Sequence, residues 1–402
     1  MTTSSTDRAL IGFMLSASIA STIGGLPFNA LPVLLGSLAD SFQLAPQAVG
    51  MMGSICFAGY LVGTLGAPLW INRMNWRVLT VVSACGTAGA FALSSQVSSV
   101  QALYVVWALI GFFASTMTCL GMRILSDLPN KVRAYGVRQG VELSVTAAVL
   151  FGLPPLVIAV WKYPGAALAL AGVVLVLGLS AFWVPRHPLA AGGGAGTEAA
   201  PPARGALPAA SWVTMAVFFV FLAGNIALWA FLERIGAGLK IAPAEMGLVF
   251  AVLKLLGGAA AFAVAAIGDR AGARLPFWVV LAVIGLGLGL LTTAGSFVPF
   301  ALGAWIWEFA FTCGCVFQAA AIARSDASGR AVMLVPAVFA LSSMVGPGVA
   351  GQLAAGDTYG GVLALAALCS IAPALVYQFW QPGQSAAELA AQAERRTPHR
   401  VS

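Results

Sequence analysis

Asp269-Arg270-Ala271-Gly272-Ala273-Arg274 is the densest cluster of charge between two long apolar runs. It has a worn twin. At an offset of 197 residues (269 less 72) the chain reads Asn72-Arg73-Met74-Asn75-Trp76-Arg77, keeping both arginines and losing the aspartate and the glycine. The same offset pairs Ala45-Pro46 and Gly50 with Ala242-Pro243 and Gly247, and Arg133-Ala134 with Arg330-Ala331. One offset holding at three landmarks reads as a duplicated half.

The sequence around these loops needs lipid as its solvent. Hydrophobic residues make up 60% of the chain and charged residues only 8%, where soluble domains carry roughly a quarter. The apolar runs are too long for strands, so helices that satisfy their own backbone polar groups are the viable solution. The net charge of +7 does not point to nucleic acid. Of the 20 lysines and arginines, only Lys162, Arg234 and Lys240 fall at one face and only Lys254 inside a span. The rest are assigned to the amino terminus, the loops on its side or the carboxyl tail. That positive-inside asymmetry places both termini in the cytoplasm of a multi-pass protein of the inner membrane.

Two hydrophobic halves, each with a D-R-x-G-x-R-like loop after its second span, resemble the major facilitator superfamily of secondary transporters over about residues 9 to 381. The second-half loop supplies Asp269, Arg270, Gly272 and Arg274, with Ala265 where the family has a glycine; the first-half loop has Asn72 for the acid and Asn75 for the glycine. The resemblance implies an all-α membrane protein of twelve transmembrane helices in two pseudo-symmetric six-helix halves. It also implies alternating access around a central substrate site, with the 269–274 loop as a gating element. The expected division is residues 1–184 for the first half, 185–210 for a flexible cytoplasmic linker rich in Gly, Ala and Pro, 211–381 for the second half, and 382–402 for a cytoplasmic tail.

Ionisable and polar residues inside spans are costly and mark candidate sites. Asn29, between Pro27 and Pro32 in span 1, is either a ligand contact or an interhelical hydrogen bond. In span 5, Arg138 and Glu142 are one helical turn apart, with Glu142 about 12 Å into the span. Glu142 either pairs permanently, with Arg138 or Arg123, or exchanges a proton. Gly152-Leu153-Pro154-Pro155 is a faint version of a glycine-proline signature of the family's antiporters. In span 7, Asn225 falls at a depth similar to Asn29, so the two are expected to face one cavity from opposite halves. Glu233-Arg234 near the end of that span reads as an interfacial feature, with an outer gate as the second reading. Lys254 sits near the middle of span 8 and must face water, a carboxylate or an anionic substrate; its repeat partner is Phe57, so its charge belongs to one half only. Span 10 supplies Trp305, Trp307, Glu308 and Gln318. Glu308 is the mid-membrane carboxylate, and the indoles are either walls for an aromatic ligand or interfacial anchors.

The expectation is a proton-coupled symporter of a small organic solute, acting as a monomer in the lipid bilayer. Glu308 is its proton-responsive group with Glu142 in reserve, Lys254 is a counter-charge or anion anchor, and Asn29, Asn225, Trp307 and Gln318 are cavity contacts. Sodium coupling leaves much the same pattern. Proton-driven efflux of amphipathic compounds, and a non-transporting sensor or assembly factor on the same scaffold, are the alternatives. No enzyme is expected, because His187 and His399 lie outside the spans and no nucleophile or phosphate loop appears. Nor is a metal or cofactor, since six cysteines show no ligand spacing.

Overall fold

The computed structural model describes residues 5–129, 131–187, 207–267, 270, 272, 274–326, 330–354 and 358–380. Every element among them is helical. Most of the expected linker, the tail and Asp269 of the loop lie outside the described residues.

Span 1 is two helices, Ser5–Asn29 and Leu31–Phe42, hinged at Ala30. Spans 2 to 4 are Pro46–Ile71, Trp76–Ser94 and Val100–Ser126. Span 5 starts as Lys131–Leu153 and runs through a π-helical turn, Pro154–Ile158, at the Gly-Leu-Pro-Pro stretch. Proline rings there remove N–H donors, and the wider turn accommodates the loss. Lys162, at φ 54° and ψ −152°, reverses the chain inside Ala159–Gly178, so this helix belongs partly to span 5 and mostly to span 6. The second half follows as Ala209–Gly238, Pro243–Ile267, Leu275–Thr292, Phe297–Ser325, Val335–Leu353 and Gly360–Phe379, spans 7 to 12. Among the described residues ten stretches are long and apolar enough to cross a membrane. One of these, Arg133–Trp183, holds two spans, and the helix Val335–Leu353, which contains Pro347, completes twelve.

The halves meet through spans 1 and 7, 2 and 11, and 5 and 8. Their contacts concentrate at the end away from the linker. Gly50 and Gly351 lie so close to Pro347 and Pro46 that a Cβ at either would strike the opposing carbonyl, which is the use of small residues at a membrane helix crossing. Arg234 in span 7 pairs with Asp40 in span 1 at 2.5 Å and donates to the Gly36 carbonyl. Arg234 therefore makes a contact between the halves. The main hydrophobic cluster therefore contains residues of both, Leu26, Val49 and Phe57 beside Trp229, Met246 and Phe250. Toward the linker the core divides. Met14, Ile71, Trp76, Ile124 and Val184 form a cluster of the first half alone, and Val217, Phe277, Ala374 and Tyr377 one of the second alone. The molecule is thus closed at the far end and parts toward the linker.

Candidate functional site

Proline chemistry builds the roof of the site. In a regular helix the Phe28 carbonyl would accept from residue 32, but Pro32 has no N–H. The freed carbonyl accepts a hydrogen bond from the Trp229 indole of span 7 at 2.9 Å, across the two halves. Phe28 also meets Phe57 and Phe339 edge to face, with centroids 5.8 and 5.0 Å apart, and Trp229 meets Phe250 at 5.6 Å. Five spans, 1, 2, 7, 8 and 11, are pinned together by one freed backbone carbonyl and its aromatic neighbours.

Under this roof lies Lys254, 5% exposed. Its Nζ sits 3.8 Å from the Trp229 ring centroid and 5.8 Å from that of Phe28, and 3.9 Å from Glu308 Oε1. A desolvated ammonium over an indole gains about 2 kcal/mol, so the ring shares with the carboxylate the task of holding a charge inside the membrane. Glu308, 6% exposed, fits there because span 8 offers Gly257. A Cβ on Gly257 would approach Glu308 Oε1 to 2.9 Å and Thr312 Oγ1 to 3.3 Å.

The first half contributes a second pair. Arg138 and Glu142 meet at 2.6 Å, Arg138 Nε donates to Ser21 Oγ at 2.9 Å, and Asn29 Nδ2 donates to Glu142 Oε1 at 3.3 Å. Gly25 gives this carboxylate room, as a Cβ there would stand 2.7 Å from Oε1. Of the readings for Glu142 and Asn29, the structure shows the pairing with Arg138 and the interhelical hydrogen bond. Arg123 is engaged elsewhere, with Asp127 and Ser126.

Two expected cavity residues turn away from both pairs. Asn225 Nδ2 donates to the Phe221 carbonyl and to Ser370 Oγ at 2.9 and 3.0 Å, and its Oδ1 accepts from the Trp307 indole at 2.8 Å. Trp307 is wholly buried and stacks on Phe311 at 5.6 Å. Asn225 and Trp307 satisfy each other between spans 7, 10 and 12, so the expectation that Asn29 and Asn225 share a cavity is corrected. Depth along a helix was similar, but azimuth was not. Trp305 donates to the Val249 carbonyl at 3.0 Å and ties span 10 to span 8. Gln318 is fully buried with neither amide atom bonded to protein. Buried polar groups are otherwise satisfied in folded proteins, which makes this amide a candidate contact for solute or water.

In the 269–274 loop, Arg270 and Arg274 are exposed, Arg270 bonds back to the Ala266 carbonyl at 3.2 Å, and Gly272 has φ 70°, the left-handed conformation that explains a glycine there. In the twin loop Asn75 has a different task. Its Oδ1 accepts from Arg77 N at 2.9 Å and caps span 3. Among the described residues no cluster of His, Cys, Asp and Glu is placed to hold a metal.

Sequence reasoning singled out Lys254, Glu308 and Glu142 but not Phe28, Trp229, Gly25 or Gly257 as their partners. The one available signal was Pro32, which frees the carbonyl of the residue four positions before it.

Two six-helix halves joined at one end, with charged side chains beneath the junction, are the architecture of a membrane transporter of small solutes. Residues 10–325 match the family model of the Major Facilitator Superfamily, and the chain belongs to that family. No curated protein sequence matches it. Solved structures share the fold at low identity. A nucleoside transporter, NupG, is 13% identical with a TM-score of 0.71, covering 91% of this chain and 99% of its own. A D-xylose-proton symporter is 12% identical with a TM-score of 0.71, over 94% and 99%. A bacterial homologue of the human lysosomal transporter Spinster, inward-facing and unoccupied, is 11% identical with a TM-score of 0.67, over 98% of each chain.

Proposed function

We propose that the protein is a proton-coupled symporter of a small organic solute carrying an acidic group, working as a monomer in the inner membrane with the linker side in the cytoplasm. The observation that carries the reading is the Lys254–Glu308 pair, buried beneath the Trp229 indole where the halves part. While Glu308 is ionised it holds Lys254. When it takes a proton the ammonium loses its counter-charge, and an anionic group of the solute replaces it. Proton and anion then travel together, because each makes the other's burial tolerable. The loaded, neutral site lets the halves close at the linker end and open at the far one, since protonation changes the relative free energy of the two access states. Asn29 and Gln318 supply polar contacts, and the Arg138–Glu142 pair sets the field and is the reserve proton site. The loop of Asp269, Arg270, Gly272 and Arg274 is the proposed gating element on the linker side. Proton-driven export of amphipathic compounds gains less support, since Trp307, its expected aromatic wall, is packed inside the second half.

The test starts with a thermal-shift screen of metabolites, because a ligand that binds only the folded state raises its apparent stability. A solute found in this way is then followed in proteoliposomes. Glu308→Gln is expected to keep exchange of labelled for unlabelled solute and to lose accumulation driven by a pH gradient. Undiminished uphill transport in this variant removes Glu308 from the mechanism.

A further inference from the structure

At the linker end of spans 3 and 6, on the outside of the first half, a groove of about 630 Å³ is lined by Arg77, Val78, Val81, Val82, Cys85, Leu175, Leu179 and Phe182. Its floor is made of small residues. Gly178 lets span 6 approach span 3 so closely that a Cβ there would stand 3.1 Å from the Ala84 Cβ. Its walls are Val82, Leu175, Leu179 and Phe182, which are 47, 50, 57 and 72% exposed. From Arg77 to Cys85 the helix rises about 12 Å, which is most of one leaflet of a hydrocarbon core about 30 Å thick. The groove is therefore one leaflet deep. Trp183, 61% exposed at its linker end, is the kind of residue that marks the membrane–water interface.

A cation stands at that end and nowhere else in the groove. Arg77 is fixed by its Nε, which donates to the Val184 carbonyl at 2.7 Å. That bond leaves both Nη groups for a ligand. Arg73 and Arg186 are exposed close by, the Arg186 carbonyl accepting from Trp76 N at 3.0 Å beside Arg77. Among the described residues none of these three arginines is in an ion pair with a carboxylate. Three unneutralised guanidinium groups above an apolar groove complement an anionic headgroup above an acyl chain.

We infer that spans 3 and 6 form a binding site for one anionic phospholipid of the linker-side leaflet, with its phosphate on Arg77 and one acyl chain along Val78, Val82, Leu175 and Leu179. The site is separate from the solute pathway, since its residues face away from the junction of the halves. The lipid covers apolar surface and neutralises the arginines, so it stabilises the first half by binding the folded form alone.

The test compares dioleoyl-phosphatidylglycerol, dioleoyl-phosphatidylcholine and inorganic phosphate added to the delipidated full-length protein in detergent, with Tm as the readout. Phosphatidylglycerol is expected to raise Tm several degrees more than phosphatidylcholine, and inorganic phosphate to leave it unchanged. Arg77→Gln is expected to abolish the excess. Because Arg77 also holds the Val184 carbonyl, a groove-filling variant, Val82→Trp, provides an independent arm and is expected to abolish the excess while Arg77 stays in place. Equal shifts from the two lipids, a shift from phosphate alone, or an excess that survives Val82→Trp overturns the site.

Discussion

The charges inside the bundle sort by what surrounds each one. Glu142 has an arginine at 2.6 Å, an asparagine and the space above Gly25, whereas Glu308 has an ammonium at 3.9 Å. The tighter pair is structural in character and the looser one can exchange partners. Arg138→Gln therefore leaves Glu142 without its guanidinium and is expected to cost about 1–2 kcal/mol. This is less than the roughly 3–5 of a fully buried pair, because these side chains keep some solvent contact. Adding Glu142→Gln should recover most of the loss, which thermal unfolding of the two variants measures; a double variant no more stable than Arg138→Gln contradicts the pairing as a source of stability. At this scale the sequence was legible wherever a charge interrupted an apolar run, hence Lys254, Glu308 and Glu142. It was silent on which ring or glycine each charge would meet, because those neighbours come from other spans and depend on how the helices cross.

Among the elements, span 1 carries the most consequence. Its two prolines do not merely loosen it. Pro32 takes away the one N–H that would have bonded the Phe28 carbonyl, and Trp229 of the other half takes that place. Trp229→Phe removes the indole N–H and leaves the carbonyl unpaired, at a cost of about 1–3 kcal/mol. Pro32→Ala restores a donor within the helix. Added to Trp229→Phe, it is expected to recover on the order of 1 kcal/mol, so a double-mutant cycle should show coupling between residues on different halves. Independent, additive effects on Tm would refute the account of the hinge. The hinge position was legible from Pro27 and Pro32 alone, while its partner was not. The same limit explains Asn225, whose depth was readable from spacing, but whose direction is set by Trp307 and Ser370.

On the scale of the whole molecule, duplication and span count were legible because they follow from periodic hydrophobicity and one repeated offset. The resting conformation was not. It rests on the Gly50–Pro347 and Gly351–Pro46 approaches and on the Asp40–Arg234 pair, which close the far end while the linker-side cores stay separate. The central claim is that the protonation state of Glu308 sets the balance between this state and its opposite. The most direct measurement is electron–electron double resonance between spin labels at Met74→Cys and Arg274→Cys, on the twin linker-side loops, in a background without native cysteines. Distances are compared in alkaline and acidic buffer, with the solute found by the thermal-shift screen present at saturating concentration in both. The wild-type background is expected to shift from long toward short separations on acidification, and Glu308→Gln to show the acidic distribution at both pH values. A Glu308→Gln distribution that follows pH as the wild-type background does would contradict the claim.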